Sequence, residues 1–316
     1  MAHSLTRRMA SSLLFNSGLY FPIQQLLANL KGGFILAFHN LAPKTFESLI
    51  TALLPNKPIP LEALVEKIKY GRCTKGDFSI TVDDGVGMTV RMLSESALKH
   101  RWPVTFYLPT CYIDHPSEPM IFQWLGALDK LSLEGRFHLS TGEVDWSTPE
   151  SKKKWMKSIT HIMYTEKSEK YENIIRELAH ILITAGHVRE NVLDLPEAIS
   201  WEEVESLSRH DILSFESHSV SHRAMIALNE DELRQELVLS RQAIEERTKK
   251  PCRHFCYPFG GDESIGPQAV KQVAAVYESA VTMIRGRIRG SSLYFLPRIP
   301  FYEGDNPAIA RLKIMI

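Results

Sequence analysis

Short patterns in this chain bring together side chains able to hold a metal ion or move a proton. Asp83-Asp84-Gly85 sets two carboxylates next to each other. Carboxylates that close repel, which raises one pKa unless a cation is at hand. A divalent ion would resolve the conflict, with one aspartate ligating it and the other free as a base. His218-Ser-Val-Ser-His222 offers two imidazoles at i and i+4. On one face of a helical turn that spacing lets both grip a single ion. His39 and the turn Pro258-Phe259-Gly260 complete the set. Taken singly, each pattern has an ordinary explanation. Asp and Gly are common turn formers, and a chance HxxxH is not rare in a chain with 12 histidines.

Their placement raises them above chance. Residues 33–39, 78–82, 104–108, 212–215, 254–257, 279–284 and 294–299 read as short apolar strands. Helical spacing marks 60–70, 89–100, 229–248 and 269–277, and a helix at 200–208 opens on a Ser200/Glu203 capping box. Strand–helix–strand alternation implies parallel strands with helical crossovers, hence an α/β sheet or barrel. His39, Asp83-Asp84, His218 and the Pro258 turn all fall at the C-terminal ends of expected strands, the edge where parallel α/β proteins build active sites. Neighbouring residues on a strand face opposite ways. Asp83 and Asp84 can therefore converge only where the chain leaves the strand, a turn that Gly85 permits.

The alternation breaks between residues 112 and 196. That stretch shows little strand character, with helical patterns at 122–133 and 152–182, and reads as a helical insertion. Its run Lys152-Lys153-Lys154 reads as a solvated face. Residues 1–32 are expected to form an N-terminal helical segment, 33–303 the α/β unit, and 304–316 a C-terminal tail. The N-terminal segment suits an amphipathic helix, packed on the domain or in peripheral contact with a membrane surface, and no run approaches the ~20 apolar residues of a transmembrane span. A cytoplasmic location is favoured. The 37 basic residues balance the 37 acidic ones, which argues against nucleic acid as the main partner. Cys73, Cys111, Cys252 and Cys256 match neither a disulfide scaffold nor a zinc-ribbon spacing, and are expected to be reduced thiols.

In order, Val82-Asp-Asp-Gly85, His218-Ser-Val-Ser-His222 and Phe255-Cys-Tyr-Pro-Phe-Gly260 resemble the motifs of the NodB-type polysaccharide deacetylases, carbohydrate esterase family 4. The resemblance covers roughly residues 33–110 and 197–303 and leaves the insertion unmatched. It implies a distorted (β/α)7-type barrel and a zinc-like ion, with cobalt or nickel as alternatives. Asp84, His218 and His222 would be the ligands and Asp83 the general base. The backbone N–H of Phe259 would bind the oxyanion, with Pro258 and Gly260 shaping the substrate site. The implied substrate is a carbohydrate bearing N-acetyl groups.

The chain departs from that pattern in three places. Cys256 stands where many members carry an arginine that pairs with the base, and Arg298 could reach Asp83 from another direction. The C-terminal Leu-x-x-His that supplies the general acid is missing, which makes His39 the candidate donor and His254 a weaker one. The Asp-x-x-Asp-Trp motif that walls the groove is also missing. Trp124, Trp146 and Trp155 lie in the insertion, where they serve either as its core or as a cover for the barrel mouth. Two other readings stand beside the deacetylase: a related metal-dependent hydrolase acting on a small cyclic amide, and a degenerate sugar-binding module.

Overall fold

The protein is described here by a computed structural model that covers residues 32–116, 120, 123, 135–140, 142–166, 168–184, 196–288 and 290–315. The expected N-terminal helical segment and Trp124 lie outside these residues.

In chain order the elements are β1 (Phe34–Phe38), α1 (Pro43–Thr51), α2 (Leu61–Lys69), β2 (Phe78–Val82), α3 (Gly87–His100), β3 (Val104–Leu108) and α4 (Thr110–Asp114). The insertion contributes β4 (Arg136–Leu139), β5 (Gly142–Asp145), α5 (Pro149–Thr165) and α6 (Ser168–Thr184). Then come α7 (Trp201–Leu207), β6 (Leu213–Ser217), a 3-10 turn (Met225–Ala227), α8 (Glu230–Thr248), β7 (His254–Cys256), α9 (Asp262–Ile265) and α10 (Pro267–Val276). The chain closes with β8 (Ser279–Arg285), β9 (Leu296–Pro300) and α11 (Pro307–Lys313).

Strands β1-β2-β3-β6-β7-β8-β9 form a closed, all-parallel barrel, the β1–β9 pairing sealing it. Alternation along each strand decides which side chain goes where. Phe34, Leu36 and Phe38 point outward into the main core with Phe46, Leu93 and Phe301. Ile35, Tyr107, Cys256, Val281 and Leu296 form a separate cluster with Leu61, Leu64 and Val65 of α2. Leu61 also borders a cavity of about 230 Å³ shared with Val104, Leu213 and His254 at the N-terminal ends of β3, β6 and β7, so α2 lies under the barrel floor. Helix α2 thus covers that end of the barrel, and the C-terminal ends of the strands form the opposite mouth.

Several expectations are corrected. The insertion is not purely helical: β4 and β5 pair antiparallel, Arg136 opposite Asp145. Gly142, with φ 122°, opens β5 opposite Leu139, and polar residues on so short a hairpin hid its alternation. The single helical stretch at 152–182 is two helices, α5 and α6. Where a tail was expected, residues 304–315 include α11, which packs on α1 with Ala310 fully buried and Arg311 Nε donating to the Ala52 carbonyl. Helix α1 also went unforeseen. Trp146 is buried and meets Trp155 edge-on at 5.1 Å, so these two build the insertion's core. All four cysteines are free thiols.

Candidate active site and metal centre

The two aspartates sit where β2 ends. The strand stops because Asp84 takes a left-handed conformation (φ 75°), followed by Gly85 at φ 62°. That turn begins at Asp84 itself, one residue earlier than the sequence suggests, and it lets the two carboxylates serve neighbouring positions. Residues returning from the insertion are stitched onto this loop, with Ile199 N donating to the Gly85 carbonyl and Gly87 N to that of Glu197.

His218-Ser-Val-Ser-His222 brings its imidazoles together, but not on a helix. Ser219 (φ 67°) and His222 (φ 55°) are both left-handed, so the segment is a tight loop leaving β6. Such conformations cost about 1–3 kcal/mol each and persist only where surrounding contacts impose them. Those contacts come from α8. Glu236 accepts hydrogen bonds from Val220 N (2.8 Å), Ser221 N (2.9 Å) and the Ser221 hydroxyl. His222 N donates to Ser219 Oγ at 3.0 Å, and Ser219 N donates to Ser217 Oγ, which lies 2.7 Å from Ser240 Oγ. Glu236 and Ser240 were missed in the sequence. Their signal was there, since they share the buried stripe of α8 with Leu233, Leu237 and Ile244, and a polar group on an apolar face needs a partner.

Asp84 Oδ1 lies 3.6 Å from His218 Nε2 and 3.5 Å from His222 Nε2, and the three donors are within 4.8 Å of one another. A tetrahedral ion with bonds of about 2.0–2.1 Å needs ligand separations of about 3.3 Å, so this spacing suits one. The chemistry of the donors agrees. His218 Nδ1 lies 2.8 Å from the Cys256 carbonyl, which can only accept. That nitrogen carries a proton, so Nε2, which faces Asp84, is the ring position open to an ion. Burial pushes the Asp84 carboxyl up, but the His218 and His222 rings outweigh it and hold it well below the usual carboxylate range. A buried carboxylate oxygen and two imidazole nitrogens gathered this closely fit a divalent cation.

Asp83 faces a different environment. Arg298 is fully buried and spends every N–H nearby: Nε on Thr282 O (2.8 Å), Nη1 on Thr81 Oγ1 (3.0 Å) and Asp83 Oδ1 (2.8 Å), Nη2 on Asp83 Oδ2 (2.6 Å). Nη2 also lies 3.1 Å from Cys256 Sγ. Burial raises the Asp83 carboxyl, and the Arg298 guanidinium more than cancels that, so Asp83 stays ionised. His39 joins from β1, its Nε2 3.6 Å from Asp83 Oδ2 and its side chain 35% exposed. His254 does not join. It is buried within β7 with Nδ1 2.9 Å from Ser279 Oγ, and burial pushes its pKa down to about 3.

The Pro258 turn forms the opposite wall. Phe259 is left-handed (φ 61°) and its ring meets His222 edge-on at 4.9 Å. Gly260 follows at φ 66°, and a Cβ there would fall 2.5 Å from Met283 N. Pro258 O accepts from Gly260 N at 2.7 Å and closes the turn. The structure therefore gathers Asp83, Asp84, His218, His222, Arg298, His39 and Phe259 at one end of the barrel.

A family model described as Polysaccharide deacetylase matches residues 71–277. The chain belongs to the polysaccharide deacetylase family, and with it to the hydrolases that remove N-acetyl groups from carbohydrates. Among solved structures, the Streptococcus pyogenes deacetylase PplD in complex with acetate is similar at 12% identity and TM-score 0.59, over 90% of this chain and 98% of that one. IcaB from Ammonifex degensii is similar at 11% identity and TM-score 0.55, over 90% of this chain and 97% of that one. The putative polysaccharide deacetylase BA0330 from Bacillus anthracis gives 14% and 0.55, over 89% of this chain and 68% of that one. At such identities the likeness speaks to the fold. No curated protein matches the chain. No described helix is long and apolar enough to cross a membrane.

Proposed function

We propose that the protein removes N-acetyl groups, with a divalent metal ion, from an amino sugar in a polysaccharide, oligosaccharide or glycan precursor. The observation that carries this reading is the pair of adjacent aspartates with divided tasks. Asp84 is directed to two imidazoles, and Asp83 is held ionised by a fully buried arginine.

In this reading Asp84, His218 and His222 hold the ion, zinc before cobalt or nickel. Bound there, it would supply Lewis-acid polarisation of the acetamide carbonyl and bring the pKa of water down to about 7. Asp83 takes the proton from the attacking water, and Arg298 keeps its carboxylate charged and in plane for that task. The N–H of Phe259 donates to the oxygen that gains charge as water adds to the carbonyl. Pro258 and Gly260 hold that N–H in place at the substrate site. The departing amine needs a proton, and His39 is the donor, close to Asp83 and open to the mouth. Acetate and a free amino sugar are the products.

The test is acetate release from N-acetylglucosamine oligomers by the purified protein, before and after metal stripping and zinc repletion. Release that zinc restores after stripping supports the reading. Equal turnover of the stripped and loaded protein rules out the metal's part in it. Turnover of small cyclic amides in place of the oligomers would favour the other hydrolase.

A further inference from the structure

Among the described residues, an aromatic contact links the insertion to the candidate site. Tyr164, in the last turn of α5, meets the Phe259 ring edge-on at 5.0 Å and 67°. Phe259 meets His222 in the same manner at 4.9 Å and 67°. Three rings thus run outward from the candidate ion to the insertion.

Each link in this row is held. Phe259 is set by its left-handed backbone and by Gly260, which is wedged against Met283. Tyr164 is set by α5, which buries Ile159 and Met163 and packs on the turn Met225–Ala227 just after the histidine loop. Tyr164 itself is half-buried. Burial pushes its phenol up, with the Glu263 carboxylate of α9 adding to the effect, so the hydroxyl stays protonated.

Such a wall has an apolar face and a polar tip. A pyranose ring has the matching features, a C–H face that packs on an aromatic ring and a rim of hydroxyls that can hydrogen-bond to a phenol. Tyr164 stands one full ring beyond Phe259 from His222. A small cyclic amide seated at the ion would not extend to it.

We propose that Tyr164 is a specificity-determining residue through which the insertion selects an oligosaccharide: it receives the sugar ring flanking the acetamide-bearing one. This rests on the deacetylase reading for its substrate class, and its test is a binding measurement that does not need turnover.

The probe is tetra-N-acetylchitotetraose, titrated calorimetrically into the zinc-loaded protein. Tyr164→Ala is expected to weaken binding about tenfold, the loss of one aromatic contact, while zinc uptake stays stoichiometric. Tyr164→Phe keeps the ring and is expected to recover most of that loss. Should Tyr164→Ala fail to fold, Tyr164→Leu, which keeps bulk without an aromatic face, carries the same expectation. Wild-type affinity in Tyr164→Ala, or a wild type that does not bind the tetramer, overturns the proposal. Loss of zinc uptake together with binding also overturns it, since Tyr164 would then be only a prop for the histidine loop. A wild type that binds the tetramer through Tyr164 but releases no acetate would instead refute the deacetylase reading alone.

Discussion

Arg298 and Asp83 meet in a two-pronged ion pair inside the barrel mouth, Nη1 to Oδ1 at 2.8 Å and Nη2 to Oδ2 at 2.6 Å, with the side chains 0% and 1% exposed. The pair spans β9 and the end of β2, on either side of β1. Cys256 Sγ lies against the same guanidinium. A small residue at 256 leaves the room that Arg298 occupies, so the cysteine and the displaced arginine are one arrangement.

Removing one member of such a pair strands the other's charge in the interior. Arg298→Met is expected to cost about 3–5 kcal/mol of stability and to remove most acetate release. Adding Asp83→Asn should restore much of the stability and none of the activity, because a buried pair replaced as a unit leaves no unpaired charge. Denaturant unfolding and acetate assays on the two variants check this. A double variant as unstable as Arg298→Met would show that the pair is not what holds the mouth together.

Glu236 touches no candidate ligand, yet it accepts three hydrogen bonds from the loop that carries His222. Glu236→Gln keeps the size but cannot accept all three through a charged group. Affinity for zinc, measured by competition with a chromophoric chelator, is expected to fall about 10–100-fold, as for lost outer partners of metal ligands. Unchanged affinity would place the loop's rigidity elsewhere.

His39→Gln removes the proposed proton donor while leaving the ion's ligands in place. The expected result is a kcat lowered by about 10²–10⁴-fold, with zinc content unchanged by elemental analysis. A smaller effect would mean that water, or another group at the open mouth, protonates the amine.

His254 sets a pH dependence of stability. Its folded pKa is depressed to about 3 by burial, against about 6.5 in the unfolded chain. Between those values the unfolded state binds the extra proton, so stability is present above about pH 6.5 and is lost as pH falls toward 3. The slope from this one residue approaches about 1.4 kcal/mol per pH unit. In His254→Asn, whose amide can still reach Ser279 Oγ, thermal melts from pH 7 to 4 should show a shallower decline than wild type. Parallel declines would assign the acid sensitivity to other groups.

Much of the barrel was legible because its strands are short, apolar and closed by polar turns. β1, β2, β3 and β7 fall close to their expected limits. What escaped was decided by packing. Helix α1 opens on Pro43 with no side-chain cap, and gains its stability from Phe46, Leu49 and Ile50 in the core. The β4–β5 hairpin is too polar for a period of two to stand out. Helix α11 is held by contacts to α1 and to the Ala52 carbonyl, more than 250 positions away.

The candidate site divides along the same line. The order and types of Asp83, Asp84, His218 and His222, each placed at the end of a strand, follow from sequence, because strand ends and side-chain chemistry are local properties. Sequence could also name Arg298 as a partner for Asp83, but not decide it, since the pairing depends on barrel closure bringing β9 beside β1. The histidine loop shows the limit most plainly. Spacing of i and i+4 suggested a helical turn, whereas the fold uses left-handed Ser219 and His222 pinned by Glu236 to bring the same two rings onto Asp84. Sequence determined which chemical groups stand at the strand ends. Tertiary structure decided how they meet, because only long-range contacts can hold a backbone in conformations it would not adopt alone.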